Sequence, residues 1–151
     1  MPETKMGRLH QTPAAPPSPF RPELARTFRE ARLARPLGIT QFGLNHITLQ
    51  PGHPPEGPWG HWHEREDEVV YVLSGEVTLV DDNGEHTLRE GDFAAFPAGA
   101  ANPHHLANRS DAPATYLAMG TRHRGLETIH YPNEGVTRTL LRDDKGDRVQ
   151  P

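Results

Sequence analysis

His61 and His63 stand two apart, and a carboxylate, Glu68, follows five residues after the second. Alternate residues of an extended strand share a face, so the two imidazoles can be offered to one point. With the acidic run from Glu64 to Asp67 as a turn, Glu68 returns from the next strand towards that same point. Two neutral imidazoles and a carboxylate with a fixed approach form a typical donor set for a transition metal. The pair alone also describes a surface strand whose histidines face solvent. A second block downstream, GDFAAFPAGAANPHHLAN, adds Gly91, Pro97, Gly99, His104, His105 and Asn108.

Together the two blocks resemble the signature motifs of the cupin superfamily, G-x5-H-x-H-x3/4-E-x6-G and G-x5-P-x-G-x2-H-x3-N. His61, His63, Glu68 and Gly75 fit the first; Gly91, Pro97 and Gly99 fit the start of the second, and His104 with Asn108 fits its end. Two positions depart. Pro55 stands where the first motif has glycine, with Gly57 nearby as a substitute turn residue. Four residues separate Gly99 from His104 where the pattern has two, so Asn102 occupies the expected histidine position. The resemblance implies a metal held by His61, His63, Glu68 and His104, with His105 as the alternative to His104. Among the neighbouring acids Glu64, Glu66, Asp67 and Glu68, only Glu68 keeps the spacing to Gly75. The implied cofactor is one divalent transition metal: Fe, Mn, Ni, Cu or Zn.

The elements that must position these residues read as short strands. From Gln41 the apolar period is two, and a strand over Phe42–Leu49, ending at Pro51-Gly52, is expected. Further strands fall over Glu68–Leu73, Glu76–Val80 and His86–Arg89 (a hairpin about Asp81–Gly84), Phe93–Phe96, His104–Ala107, Thr115–Gly120 and Thr137–Leu141. Such a set predicts an all-β sandwich or barrel, and the resemblance implies a cupin jelly-roll barrel. Val70 and Val72 on one face of the Glu68 strand, and Val69, Tyr71 and Leu73 on the other, predict a strand covered on both sides. Upstream, Leu24, Phe28 and Ala31 recur at helical spacing between Pro22 and Pro36, predicting a short amphipathic helix over Arg21–Arg35. Residues 1–20 are Pro-rich and expected to be extended. The expected organisation is an arm with a short helix over 1–36, a barrel over 37–142 and a polar tail over 143–151.

Composition bounds the partners. The 151 residues suit one domain, and 16 prolines with 14 glycines favour turns and strands over helices. There is no cysteine, hence neither disulfide nor thiolate site. No apolar run approaches membrane length and the N-terminus lacks a signal-peptide stretch, so no membrane partner is expected and the cytoplasm is the default compartment. Residues 1–36 carry a balance of +4 on a body of −8. That basic arm suits docking on the body or on a second subunit. No recognition motif or aromatic interleaving supports nucleic acid. A two-fold homodimer and a small-molecule ligand are the expected partners.

Three functional classes follow. A metal-dependent enzyme on a small oxygenated molecule comes first, with dioxygenase-like chemistry leading and isomerase, decarboxylase or lyase chemistry behind it. A sensor that binds a small ligand or metal without turnover is the alternative. A barrel acting only as scaffold is the third, disfavoured because three histidines and a glutamate buried without a metal leave costly polar groups. Around the site, Trp59 and Trp62 are candidates for a pocket wall, His46 for an acid–base or supporting group, and His53 for the barrel mouth. Asn108 is read as a turn-stabilising hydrogen bonder.

Overall fold

Three antiparallel sheets frame the chain, described for residues 2–149 by a computed structural model. In chain order the strands are β1 (Phe28–Arg32), β2 (Phe42–Leu49), β3 (Trp62–His63), β4 (Glu68–Ser74), β5 (Glu76–Asp81), β6 (Gly84–Arg89), β7 (Phe93–Phe96), β8 (His105–Ala107), β9 (Ala114–Thr121), β10 (Gly125–Tyr131), β11 (Val136–Arg142) and β12 (Arg148–Val149). A five-stranded sheet runs β1-β2-β9-β4-β7, a four-stranded one β12-β11-β10-β3 and a three-stranded one β6-β5-β8. Among the described residues the last two meet at a single bridge, His61 opposite His104. Two layers of antiparallel strands closed in this way make the jelly roll that the resemblance implied, within the sandwich or barrel expected from the strand pattern.

The period-two residues of the first layer build the core. Ile47 and Leu49 on β2, Val70 and Val72 on β4, and Ala114 and Tyr116 on β9 are buried together with Val77 of β5. Each such aliphatic side chain contributes about 1.5–3 kcal/mol by leaving water. The other face of the same sheet is only half covered: Tyr71 and Phe93 are 40% and 69% exposed. Gly75, at the turn from β4 into β5, has φ +76°, and a Cβ there would sit 2.8 Å from the Pro113 carbonyl oxygen. Only glycine fits that corner.

The helix expected over Arg21–Arg35 is not formed. A 3-10 turn covers Pro22–Arg26, and Phe28–Arg32 is strand β1. Helical spacing was overridden by tertiary pairing: five residues of β1 pair in register with Asn45–Leu49 of β2, and Phe28 packs on the core. The arm extends this layer, since the Ala15 amide donates to the Glu30 carbonyl at 2.8 Å. At the other end β12 pairs with β11 and Asp147 accepts from Arg35. Both terminal segments are thus joined to the sheets. β10, which the sequence pattern did not reveal, is central to the second layer.

Candidate metal centre

β3 is two residues long and is held by β10, with His63 opposite Ile129 and Trp62 opposite His130. Its period of two turns His61 and His63 to one face and sends Trp62 to the other, where it stacks on His130 at 4.1 Å. After the turn at Glu64–Asp67 the chain crosses to the facing layer, where Glu68 begins β4 opposite Phe96 and Gly120. His104 is brought in by the bridge to His61, each amide donating to the other's carbonyl at 3.1–3.2 Å. The four side chains, from three sheets, then converge. Nε2 of His61, His63 and His104 lies 3.4, 3.2 and 3.4 Å from one oxygen, Oε1 of Glu68.

Orientation within the cluster is fixed from outside it. His104 is buried, its ring stacked on Phe96 at 3.6 Å. Its Nδ1 donates to the Asn102 carbonyl at 3.3 Å, which leaves the Nε2 lone pair facing Glu68. Asn102 itself points away: its amide donates to Asp81, and its Oδ1 accepts from the Asp82 amide. His105 also points away, towards the cleft lined by His53, Trp59 and Arg109. Behind His63, Nδ1 faces Oε1 of Glu66 at 3.8 Å. Glu66 is 3% exposed and is gripped by Arg142, whose Nε and Nη2 donate to its two oxygens at 2.6 and 3.0 Å. The His123 amide donates to it as well, at 2.8 Å. Glu127, fully buried on β10, accepts from the amides of Arg65 and Thr128, and burial raises its carboxyl.

Electrostatics favour a cation among these groups. Burial pushes the His63 imidazole down to about 4, so it is neutral near pH 7. Burial also works to raise the Glu68 carboxyl, but the imidazoles of His104, His61 and His63 around it outweigh burial and hold the group well below the usual range. A neutral imidazole lone pair facing a carboxylate oxygen is unfavourable unless positive charge lies between them. Glu68 Oε1 and His63 Nδ1 are buried with no hydrogen-bond partner. Donor atoms bonded to one ion at about 2.1 Å stand about 3.0 Å apart at right angles and about 3.4 Å apart at the tetrahedral angle. The observed 3.2–3.4 Å to Glu68 Oε1 lies within that span, and the ligand atoms of His61, Glu68 and His104 lie within 4.8 Å of one another, a cluster that could hold one small cation, while His63 groups with Glu66 and Glu127.

The remaining candidates lie elsewhere. His46 is on the outer face of β2, opposite Leu117. Asn108 is fully buried and donates to the carbonyls of Leu49 and Ala112 at 2.9 and 2.8 Å, a loop brace as its type suggested. Glu64 and Asp67 are exposed, bonded to His130 and to the Ala98 amide. Trp59 lies under the Arg21 guanidinium at 4.9 Å. Tyr131, passed over by sequence reasoning, has its ring 5.8 Å from that of His61. Its signal was the alternation of Glu127, Ile129 and Tyr131 with polar neighbours.

His53 is buried 2.8 Å from Thr27 Oγ1 through Nδ1, and burial, then the charge of His105, lowers it from 6.5 to about 4. The unfolded chain therefore takes up this proton first as pH falls. Stability from His53 is complete above pH 6.5 and drains between pH 6.5 and 4, by about 3 kcal/mol at most. His63 titrates in the same window, so the readout is a difference: urea unfolding of His53→Gln should lose less stability across it than wild type. Parallel curves would refute the assignment.

The sequence matches the Cupin domain family over residues 45–120, half of the chain. The chain is a cupin. Among solved structures this cupin is similar to a sugar phosphate isomerase of the cupin superfamily from Silicibacter pomeroyi DSS-3, with 33% identity and a TM-score of 0.77 over 97% of this chain and 92% of the other. It is also similar to quercetin 2,3-dioxygenase from Bacillus subtilis (strain 168), 32% identical over 53% of this chain, and to germin-like protein subfamily 2 member 1 from Arabidopsis thaliana, 34% identical over 54%. The match spans 25% of the dioxygenase and 38% of the germin-like protein. No helix among the described residues is long and apolar enough to cross a membrane.

Proposed function

We propose that this cupin is a metal-dependent enzyme acting on a small oxygenated molecule, with His61, His63, Glu68 and His104 as the metal ligands. The observation that carries the reading is the meeting of three imidazole nitrogens at 3.2–3.4 Å around a buried carboxylate oxygen that has no hydrogen-bond partner. When bound there, a divalent metal supplies Lewis acidity towards a carbonyl or hydroxyl oxygen of the substrate. The chain's own part is positioning: Phe96 and Asn102 fix His104, and Glu66 faces the far nitrogen of His63. Three imidazoles and one carboxylate leave coordination positions for substrate oxygens.

Within that class we infer isomerisation of a hydroxycarbonyl compound, because the likeness that runs through nearly the whole chain is to a sugar phosphate isomerase. Dioxygenase-like chemistry, which the sequence put first, is the second reading, supported by the shorter match to quercetin 2,3-dioxygenase. Metal-loaded protein incubated with aldose and ketose phosphates in deuterated water separates them. Deuterium entering at the carbon beside the carbonyl, without oxygen uptake, supports the first reading. Metal-dependent oxygen uptake with flavonols supports the second. Neither, across metals and substrates, leaves a sensor that binds without turnover.

The half-covered face of the five-stranded sheet suits a second copy. Tyr71 and Phe93 stack there at 6.3 Å, the first partly and the second largely exposed, and like surfaces meet across a two-fold axis. Phe93→Glu should halve the mass in sedimentation velocity. An unchanged mass, or a monomeric wild type at micromolar concentration, would remove the dimer.

A further inference from the structure

The turn that joins β3 to β4 has His63 at one end and Glu68 at the other, and each residue inside it is tied to another element. The Glu64 amide donates to the Thr128 carbonyl at 3.1 Å. The Arg65 amide donates to the Glu127 carboxylate, also at 3.1 Å. Glu66 is held by Arg142 and by the His123 amide. The Asp67 amide donates to Thr121 Oγ1 at 2.9 Å. Four charged residues that would suit a solvated turn are thus strapped to β10, β11 and the end of β9.

The strapping places a second group behind His63, since donor atoms of His63, Glu66 and Glu127 lie within 4.8 Å of one another. The residue types are those of a cation site, but the carboxylates already have their donors. Arg142 gives Glu66 two, and the amides of Arg65 and Thr128 serve Glu127. A second dication there would face the Arg142 guanidinium across Glu66, and buried like charges repel. The unmet atom is on the imidazole. Nδ1 of His63 is buried without a hydrogen-bond partner, 3.8 Å from Glu66 Oε1.

His63 therefore stands between two carboxylates, with Nε2 3.2 Å from Glu68 Oε1 on its other side. A neutral imidazole carries one N–H. With the hydrogen on Nε2, Glu68 has a donor and a lone pair faces Glu66. With the hydrogen on Nδ1, Glu66 has the donor and the Nε2 lone pair is free for a cation beside Glu68. A carboxylate behind the ring favours the second arrangement, the one that can bind metal. His104 has only the Asn102 carbonyl in the corresponding place.

We infer that Glu66, held by Arg142 in the turn that Glu127 straps down, is a positioning residue for metal capture: it keeps the His63 hydrogen on Nδ1 and presents Nε2 beside Glu68. The inference rests on the metal-centre reading and assigns part of its affinity to a residue that never touches the ion. Partners of this kind account for roughly 10- to 100-fold in metal affinity.

The test is calorimetric titration of metal-free, full-length protein with zinc alone, with metal-free stability read by urea unfolding. The charge pair is removed together in Glu66→Leu with Arg142→Met, so that neither partner is left buried alone. Glu66→Gln keeps an oxygen for Arg142 while removing the charge, and Glu64→Gln removes an exposed charge from the same turn. Expected are one zinc per chain in wild type, at least tenfold weaker binding in the double variant while its metal-free stability stays near wild type, an intermediate loss in Glu66→Gln, and no change in Glu64→Gln. Nuclear magnetic resonance of the His63 ring nitrogens should find the hydrogen on Nδ1 in zinc-loaded wild type. Equal zinc affinity in wild type, Glu66→Gln and the double variant overturns the inference, as does a hydrogen on Nε2, or a second zinc that is lost with the pair. If zinc binding is indifferent to Glu66 yet lost in His61→Ala, the metal reading stands without it. No zinc uptake by wild type overturns both.

Discussion

His61→Ala should lower metal content from near one equivalent to below a tenth, on protein purified without a nickel column and measured by elemental analysis. The variant removes one of three nitrogens around Glu68 Oε1 and no ion pair elsewhere, so the barrel should keep its fold. Supporting residues around a metal already account for 10- to 100-fold in affinity; loss of a direct ligand should exceed about 100-fold. A thermodynamic signature accompanies it. Metal at about one hundred times its dissociation constant stabilises the folded state by about 2.7 kcal/mol, so added metal should raise the melting temperature of wild type and leave the variant unmoved. Equal metal content in both proteins would end the assignment.

Arg142→Met should cost about 3–5 kcal/mol, because it strands the Glu66 carboxylate in a site that is 3% exposed. Two strong donors are lost at once, along with the Nη1 contact to the Gly146 carbonyl at 3.0 Å. Against a total of about 5–15 kcal/mol for a typical domain, that loss brings the chain close to unfolding at ordinary temperature. The double variant Arg142→Met with Glu66→Leu removes both charges and should recover most of the loss. Equilibrium urea unfolding reads both, and a single variant within about 1 kcal/mol of wild type would show the pair to be unimportant.

Residues tied to their neighbours by local geometry were legible in the sequence. His61, His63 and Glu68 are set by strand alternation and one turn. Gly75 is needed at its corner, and Asn108 braces the loop to Ala112 within four residues of itself, beside its longer reach to Leu49. Contacts made across the fold were not. Glu66 sits in an acidic run that reads as a solvated turn, and the arginine that makes it a buried anchor lies 76 residues on. Local spacing left His104 and His105 as alternatives; the bridge to His61, a partner 43 positions upstream, is what turns His104 towards Glu68. β1 carries helical spacing, but pairing with β2 decides its conformation. β10 was hidden because its inner face mixes Glu127 with Ile129 and Tyr131, so it lacks an apolar stripe.

The bridge between His61 and His104 has a mechanical consequence. Among the described residues it is the only rung joining the four-stranded and three-stranded sheets, whereas β2 and β9 share eight paired positions. Local opening follows the weakest join, so the amides of His61 and His104 should exchange with deuterium far sooner than those of Ile47 or Tyr116. The four-stranded and three-stranded sheets are therefore latched where the strands within a sheet are zipped, and the latch is made of the same two histidines that face Glu68. An ion held by that cluster would tie the two sides of the latch together, so metal binding should slow exchange at these two amides.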